Sequence, residues 1–158
     1  MTVDAVEEPF RTQLTVRLRE GRALLGADLP EPCTFTSGDT FDLLWMGPDE
    51  YLVLAEPGRQ AELETALRDA GAAAVTDVSA QRVTVRLTGS HARDVLAHGC
   101  SIDLDPSVSP PGTCVQTLFA RTGIVLMVRE EGFTILVRQS FANYFTAWLA
   151  DASLEYVS

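Results

Sequence analysis

Apolar and polar residues alternate along TQLTVRL (12–18), a two-residue period that predicts a strand. The following stretch, REGRALLGADLPEP, loses that period and reads as a helical turn or loop ending in prolines. TFDLLWMG (40–47) and YLVLAE (51–56) are short apolar runs around Gly47-Pro48-Asp49-Glu50, which predicts two strands joined by a turn. The period then lengthens. In RQAELETALRDAG (59–71), Leu63, Ala66, Leu67 and Ala70 fall on one helical stripe, and Gly71 closes the helix.

AAAVTDVSAQRVTVRLTG (72–89) is strand-like, with Val83, Val85 and Leu87 alternating against Arg82, Thr84 and Arg86. A short helix is expected within HARDVLAHGCSIDLDP (91–106). After the proline-rich loop SVSPPGT, three β-prone runs follow closely: CVQTLFAR, GIVLMVRE and GFTILVRQ. Connections as short as Thr122-Gly123 and Glu130-Glu131-Gly132 predict an antiparallel meander. SFANYFTAWLADASLEYV (140–157) predicts a closing helix, with Ser140 as N-cap and Phe141, Tyr144, Phe145, Trp148 and Leu149 on its core face. The expected class is α+β, antiparallel sheets with packed helices. A single domain over residues 1–158 is expected, with two small lobes at about 11–88 and 89–158. Their seam lies near Ser79 to Thr88 or in the proline loop.

Composition narrows the functions open to such a fold. The 158 residues are 46% hydrophobic and 22% charged, the profile of a soluble globular domain. The formal charge of −10 repels phosphate backbones, which argues against nucleic acid as a partner. All twelve basic residues are arginine, so no Schiff-base or P-loop lysine is present. No dinucleotide fingerprint GxGxxG occurs. Cys33, Cys100 and Cys114 are odd in number and widely spaced, which fits reduced thiols. The acidic N-terminus MTVDAVEEPF lacks the plan of a signal peptide, and a cytoplasmic location is expected.

The residues that invite a chemical reading crowd into 91–106: His91, Asp94, His98, Cys100, Asp103 and Asp105. His91, Asp94 and His98 share one helical face and, with Cys100, form a nominal zinc set. The two histidines, however, stand nearly two turns apart, about 10 Å at the rise of an α-helix. Zinc-binding helices use i, i+4 spacing instead. Cys100 and His98 are sequence neighbours, whereas a working Cys/His pair is brought together by the fold. The structural reading is simpler: Ser90 caps the helix, Asp94 suits its dipole, Gly99 is a left-handed C′ residue and Cys100 closes the helix end. Asp77 and Asp49-Glu50 are acids of strand and turn with no histidine partner in sequence. No catalytic, cofactor-binding or metal-binding residue is assigned to this chain.

Four stretches carry a resemblance. LWMGPDEYLVL (44–54), the segment 77–104, PPGTCVQTLFAR (110–121) and FTILVRQSFANYFTAWL (133–149) together resemble the gamma subunit of heterotetrameric sarcosine oxidase, in that family's order. Met46, Tyr51, His98, Val115, Gln139 and Asn143 depart from its pattern. The resemblance implies a fold related to folate-dependent aminomethyltransferases of the glycine cleavage system. It also implies a non-catalytic subunit partnered by alpha, beta and delta chains. FAD, FMN, NAD, tetrahydrofolate and zinc would sit on those other subunits. The complex would oxidatively demethylate sarcosine to glycine, yielding hydrogen peroxide and 5,10-methylenetetrahydrofolate. Trp45, Tyr51, Pro110, Pro111 and Trp148 are the expected interface residues. The alternative reading is a free-standing, small folate-binding protein of one-carbon transfer.

Overall fold

In the computed structural model, which describes residues 3–156, the alternating segments form strands and the longer-period segments form helices. In chain order these are β1 (Asp4–Glu7), β2 (Thr12–Arg17), β3 (Ala23–Leu24), β4 (Ala27–Asp28), β5 (Phe35–Ser37), β6 (Phe41–Gly47) and β7 (Glu50–Ala55). Helix α1 (Gln60–Asp69), β8 (Ala74–Asp77), β9 (Arg82–Thr88) and α2 (Ala92–Ala97) follow. The C-terminal part comprises β10 (Cys114–Phe119), β11 (Thr122–Arg129), β12 (Gly132–Arg138) and α3 (Ala142–Ser153). A 3₁₀ turn flanks α3 at each end, Gln139–Phe141 and Leu154–Tyr156. No helix among the described residues is long and apolar enough to cross a membrane.

The chain divides into two compact units: Pro9–Ala80, and Gln81 onward together with the residues up to Glu8. The boundary between Ala80 and Gln81 falls within the expected seam of Ser79 to Thr88, and earlier than a division at 88/89. The reason is pairing. β9 is hydrogen-bonded to β12 on one side and β1 on the other, in register Ile135↔Val85 and Val6↔Arg86. The stretch expected to be one strand-like run, 72–89, is two strands in two sheets. β8 pairs with β2 (Val16↔Val75). Between β8 and β9, Asp77 accepts hydrogen bonds from the Ser79 amide (3.0 Å) and hydroxyl (2.7 Å), a side-chain turn that breaks the extended chain.

In the unit Pro9–Ala80, an antiparallel sheet runs in the order β5-β6-β7-β2-β8. Leu14, Val16, Leu43 and Val53 project from one face into a core shared with Leu63 and Leu67 of α1. Full burial of a leucine stabilises by roughly 1.5–3 kcal/mol, so these two hold the helix despite its otherwise polar surface. Gly71, at φ 102, ends the turn as expected. The segment read as a loop, 19–32, contains a two-residue hairpin instead, β3-β4. Its turn residues, Leu25 and Gly26, both have positive φ (49° and 85°), and Leu24 and Ala27 are buried on either side. Leucine rarely adopts that conformation, so no turn signal marked the hairpin.

In the other unit the sheet order is β1-β9-β12-β11-β10. The predicted meander forms, in register Leu126↔Ile135 and Val115↔Leu126. Its first turn is Ala120-Arg121 rather than Thr122-Gly123: Phe119 pairs with Thr122, and Ala120 takes φ 53°. One face, including Val85, Leu87, Ile124, Leu126 and Ile135, packs with Val95, Leu96, Phe145 and Leu149 from α2 and α3. The last helix starts later than its sequence suggests. Ser140 lies in the 3₁₀ turn, and Phe141 is the N-cap, with no side-chain capping bond. Phe145, Leu149 and Ala152 are its buried residues, whereas Phe141, Tyr144 and Trp148 are exposed rather than on the core face. The final residue of the predicted helix, 157, lies outside the described residues.

Candidate functional site

Helix α2 gathers the polar side chains of 91–106, and each finds a partner nearby. His91, not Ser90, is the N-cap. Its Nδ1–H donates to Asp94 Oδ2 (2.8 Å) within the first turn, where the carboxylate also suits the helix dipole. The His91 ring stacks on Tyr156 at 4.9 Å between centroids. His98 Nε2 lies 3.2 Å from the same Tyr156 hydroxyl and 3.8 Å from Glu155. Tyr156 therefore contacts both histidines across the gap that a shared metal ion would have to bridge. Burial, then the charges of Glu155 and Asp94, push the Tyr156 phenol above its ordinary pKa. Among the described residues, no three His, Cys, Asp or Glu side chains converge as a metal-binding group.

Cys100 follows the helix as a structural residue. Its amide donates to Leu96 O (2.9 Å), and its backbone bridges to Phe119 at the edge of the sheet. Burial raises the thiol pKa against the lowering effect of the Ile102 and Ser101 amides, which keeps it in the protonated, weakly nucleophilic form. Gly99 does not adopt the expected left-handed conformation, since it is absent from the positive-φ glycines. Its small size serves another purpose: a Cβ there would stand 3.0 Å from the Phe119 ring. The helix end was thus legible as a glycine position, but for the wrong reason.

Beyond the helix, Arg93 donates to the Leu104 carbonyl and lies 5.2 Å over the Phe133 ring. Asp103 accepts from the Asp105 amide (2.9 Å), and Asp105 accepts from the Ser107 amide (2.9 Å) and hydroxyl (2.6 Å). Those bonds from Ser107 lower the Asp105 pKa. The acids of this stretch build a turn. Asp77 does the same beside β8, and Glu50 pairs with Arg17 at 3.1 Å.

The five expected interface residues are scattered. Tyr51 is a core residue of its own unit, only 8% exposed, and stands opposite the half-buried Trp45 on β6. Burial and the nearby Asp49 charge raise its pKa. Pro110 and Pro111 are exposed in a turn before β10, which is pinned where Gly112 donates to Val128 O (2.9 Å) and Thr113 to Pro110 O. Trp148 is 37% exposed, donates to the Tyr144 hydroxyl (3.2 Å) and meets Phe119 edge-on. With Tyr144 and Phe141 it forms an aromatic stripe on α3 that faces outward. The sequence signal for this was present: the apolar residues of this helix span more than a single core-facing stripe can hold.

The description "sarcosine oxidase, gamma subunit family" matches residues 19–155. The chain belongs to that family. The sarcosine oxidase subunit gamma of Corynebacterium sp. (strain P-1) is 34% identical, across 99% of this chain and 83% of the relative. That of Arthrobacter sp is 32% identical, across 96% and 80%. In the solved heterotetrameric sarcosine oxidase from Corynebacterium sp. U-96 in complex with pyrrole 2-carboxylate, one chain is similar with a TM-score of 0.85 and 31% identity. The match covers 99% of this chain and 86% of that one. A more distant likeness, to the glycine cleavage system aminomethyltransferase T from Bartonella henselae, has a TM-score of 0.64 at 13% identity and covers 94% of this chain and 45% of that one. The aminomethyltransferase likeness is one of fold alone. Within the gamma subunit family, the polar stretch 91–106 of this member caps a helix, fills a sheet edge and ties a turn.

Proposed function

We propose that this chain is the non-catalytic gamma subunit of a heterotetrameric sarcosine oxidase, assembled in the cytoplasm with alpha, beta and delta subunits. The observation that carries the reading is the whole-chain likeness to a chain of a heterotetrameric sarcosine oxidase, at a TM-score of 0.85. The residue-level picture agrees with it. The histidines, the partly buried thiol and the acids of 91–106 each serve a local structural bond. The outward aromatic stripe Phe141, Tyr144 and Trp148 is of the type enriched at protein interfaces.

In this reading the complex oxidatively demethylates sarcosine to glycine, with oxygen reduced to hydrogen peroxide and the methyl carbon passed to tetrahydrofolate. FAD, FMN, NAD, folate and zinc belong to the partner subunits. The gamma chain contributes position: it props the folate-handling part of the alpha subunit so that reactive one-carbon intermediates stay channelled. The test is co-expression with the alpha, beta and delta chains encoded by the same organism. Expected are stoichiometric co-purification, and an isolated gamma chain that neither binds tetrahydrofolate nor turns over sarcosine. Tight folate binding by the isolated chain, with no capture of the partners, would instead support the free-standing one-carbon protein.

A further inference from the structure

Strand β1 is an outer edge of its sheet, paired with β9 on one side only. The Glu8 amide donates to Thr84 O (2.8 Å), which continues the β1–β9 register and fixes its phase. In an antiparallel ladder, alternate residues turn both backbone groups to the same neighbour. Asp4 and Val6 therefore face β9, and the N–H and C=O of Ala5 and Glu7 point away from it. Among the described residues, nothing bonds those outward groups. Ala5 and Glu7 are both exposed. With Val3, their side chains border an open groove of about 210 Å³, walled on the other side by Leu149 and Ala150 of α3 and floored by Val85.

We propose that an extended, basic segment of a partner subunit adds to β1 as a further antiparallel strand, with one apolar side chain in the groove between β1 and α3. The proposal rests on the gamma-subunit reading. The outward backbone groups call for an extended chain, which offers donors and acceptors at the matching repeat. The groove is smaller than the about 300–1,000 Å³ of small-molecule sites, so it suits a side chain rather than a cofactor. A short, charged edge also protects against unspecific pairing, but that protection needs no apolar groove behind the strand. Charge selects the occupant. Asp4 and Glu7 lie on this edge, and neither has an ion-pair partner among the described residues. A second copy of this chain would set the same acids against each other, whereas an arginine or lysine opposite Glu7 pairs with it. The named strand pairs of this sheet are antiparallel. Antiparallel addition puts the residue opposite Glu7 two positions before the one opposite Ala5. The docking segment thus reads basic-x-apolar, with both side chains on the α3 side.

Three variants of the full-length chain separate these features. Ala5→Pro removes an outward N–H and spares the ladder to β9. Ala5→Leu fills the groove from within, and Glu7→Gln removes the charge. Binding to the purified remaining subunits is measured by interferometry at about 50 and about 500 mM NaCl, a range over which surface charge pairs are progressively screened. Ala5→Pro and Ala5→Leu are expected to bind about tenfold more weakly, with melting midpoints near that of the wild type. Glu7→Gln is expected to weaken binding at low salt and to flatten the salt dependence. Residue-resolved hydrogen exchange supplies a direct readout. The Ala5 and Glu7 amides should exchange freely in the isolated chain and slow about tenfold or more in the complex, while Val6 is protected in both. A complex that forms with unchanged exchange at Ala5 and Glu7, and with wild-type affinity in both Ala5 variants, would overturn the docking site and leave the gamma-subunit reading standing. Protection of the two amides in a dimer of the isolated chain would overturn it as well, by assigning the edge to a second copy. Failure of the wild-type chain to associate with the other subunits would overturn that reading itself, and this inference with it.

Discussion

At the scale of single residues, two glycines that look alike in the sequence have opposite physical reasons. At Gly99 the backbone is ordinary and the space is not: an added Cβ would press on the Phe119 ring at 3.0 Å. Gly99→Ala is therefore expected to cost about 1–3 kcal/mol in urea denaturation through overpacking. Trimming the ring with Phe119→Leu should reduce that increment, and an unchanged increment would refute the crowding account. Gly132 carries both penalties, with φ 108° and a Cβ that would collide with the Leu87 carbonyl oxygen, so Gly132→Ala should cost more than Gly99→Ala. Asp105 gives a pH-dependent counterpart. Hydrogen bonds from Ser107 hold its carboxyl below the ordinary value. Its contribution to the 103–109 turn is thus complete above the unfolded-state pKa and is lost as pH falls through the lowered folded value. An NMR titration of Asp105 should move upward in pH in Ser107→Ala; an unmoved midpoint would assign the shift to another cause.

At the scale of elements, α3 separates two kinds of aromatic residue that share one helix. Phe145 is fully buried and meets Phe119 edge-on at 5.1 Å, while Trp148 is 37% exposed. Phe145→Ala is expected to destabilise the chain by about 3–5 kcal/mol. Trp148→Ala should cost much less in the melting of the isolated chain, yet weaken capture of partner subunits, because exposed aromatic anchors express their energy on association. Equal melting losses for the two variants would remove the distinction. The turns between elements follow a similar division. β10–β11 and β11–β12 form as an antiparallel meander because their connections are short, but a non-glycine residue, Ala120, supplies the positive φ of the first turn.

For the whole molecule, the decisive feature is connectivity. The chain lays down β1, builds the entire unit Pro9–Ala80, and returns at Gln81 to pair β9 with β1. The first strand of the discontinuous unit is thus closed over a long intervening segment, a contact whose loop entropy grows slowly with length. Removing residues 1–8 takes away the β1 ladder and the bond from Glu8 N to Thr84 O (2.8 Å). From net hydrogen-bond energies, that deletion should cost about 2–4 kcal/mol. Hydrogen exchange should quicken in Arg82–Thr88 in particular; protection in β9 that stays at the wild-type level would show that the β1 edge contributes little.

The sequence by itself determined most of the longer elements and the kinship. Its two-residue and helical periods located β2, β6, β7, α1 and the three-strand meander. Its motifs placed the chain among sarcosine oxidase gamma subunits, a placement the family match over residues 19–155 supports. Periodicity is a local property, written by neighbouring residues along a strand or helix. What it does not encode is which distant strand each one meets. Only the tertiary structure separated β8 from β9 into two sheets, set Tyr156 between His91 and His98, and turned Phe141, Tyr144 and Trp148 outward. It also brought Arg82 opposite Arg138, residues 56 positions apart by their numbering. Each of these is a long-range pairing, chosen by the packing of whole elements rather than by the residues on either side.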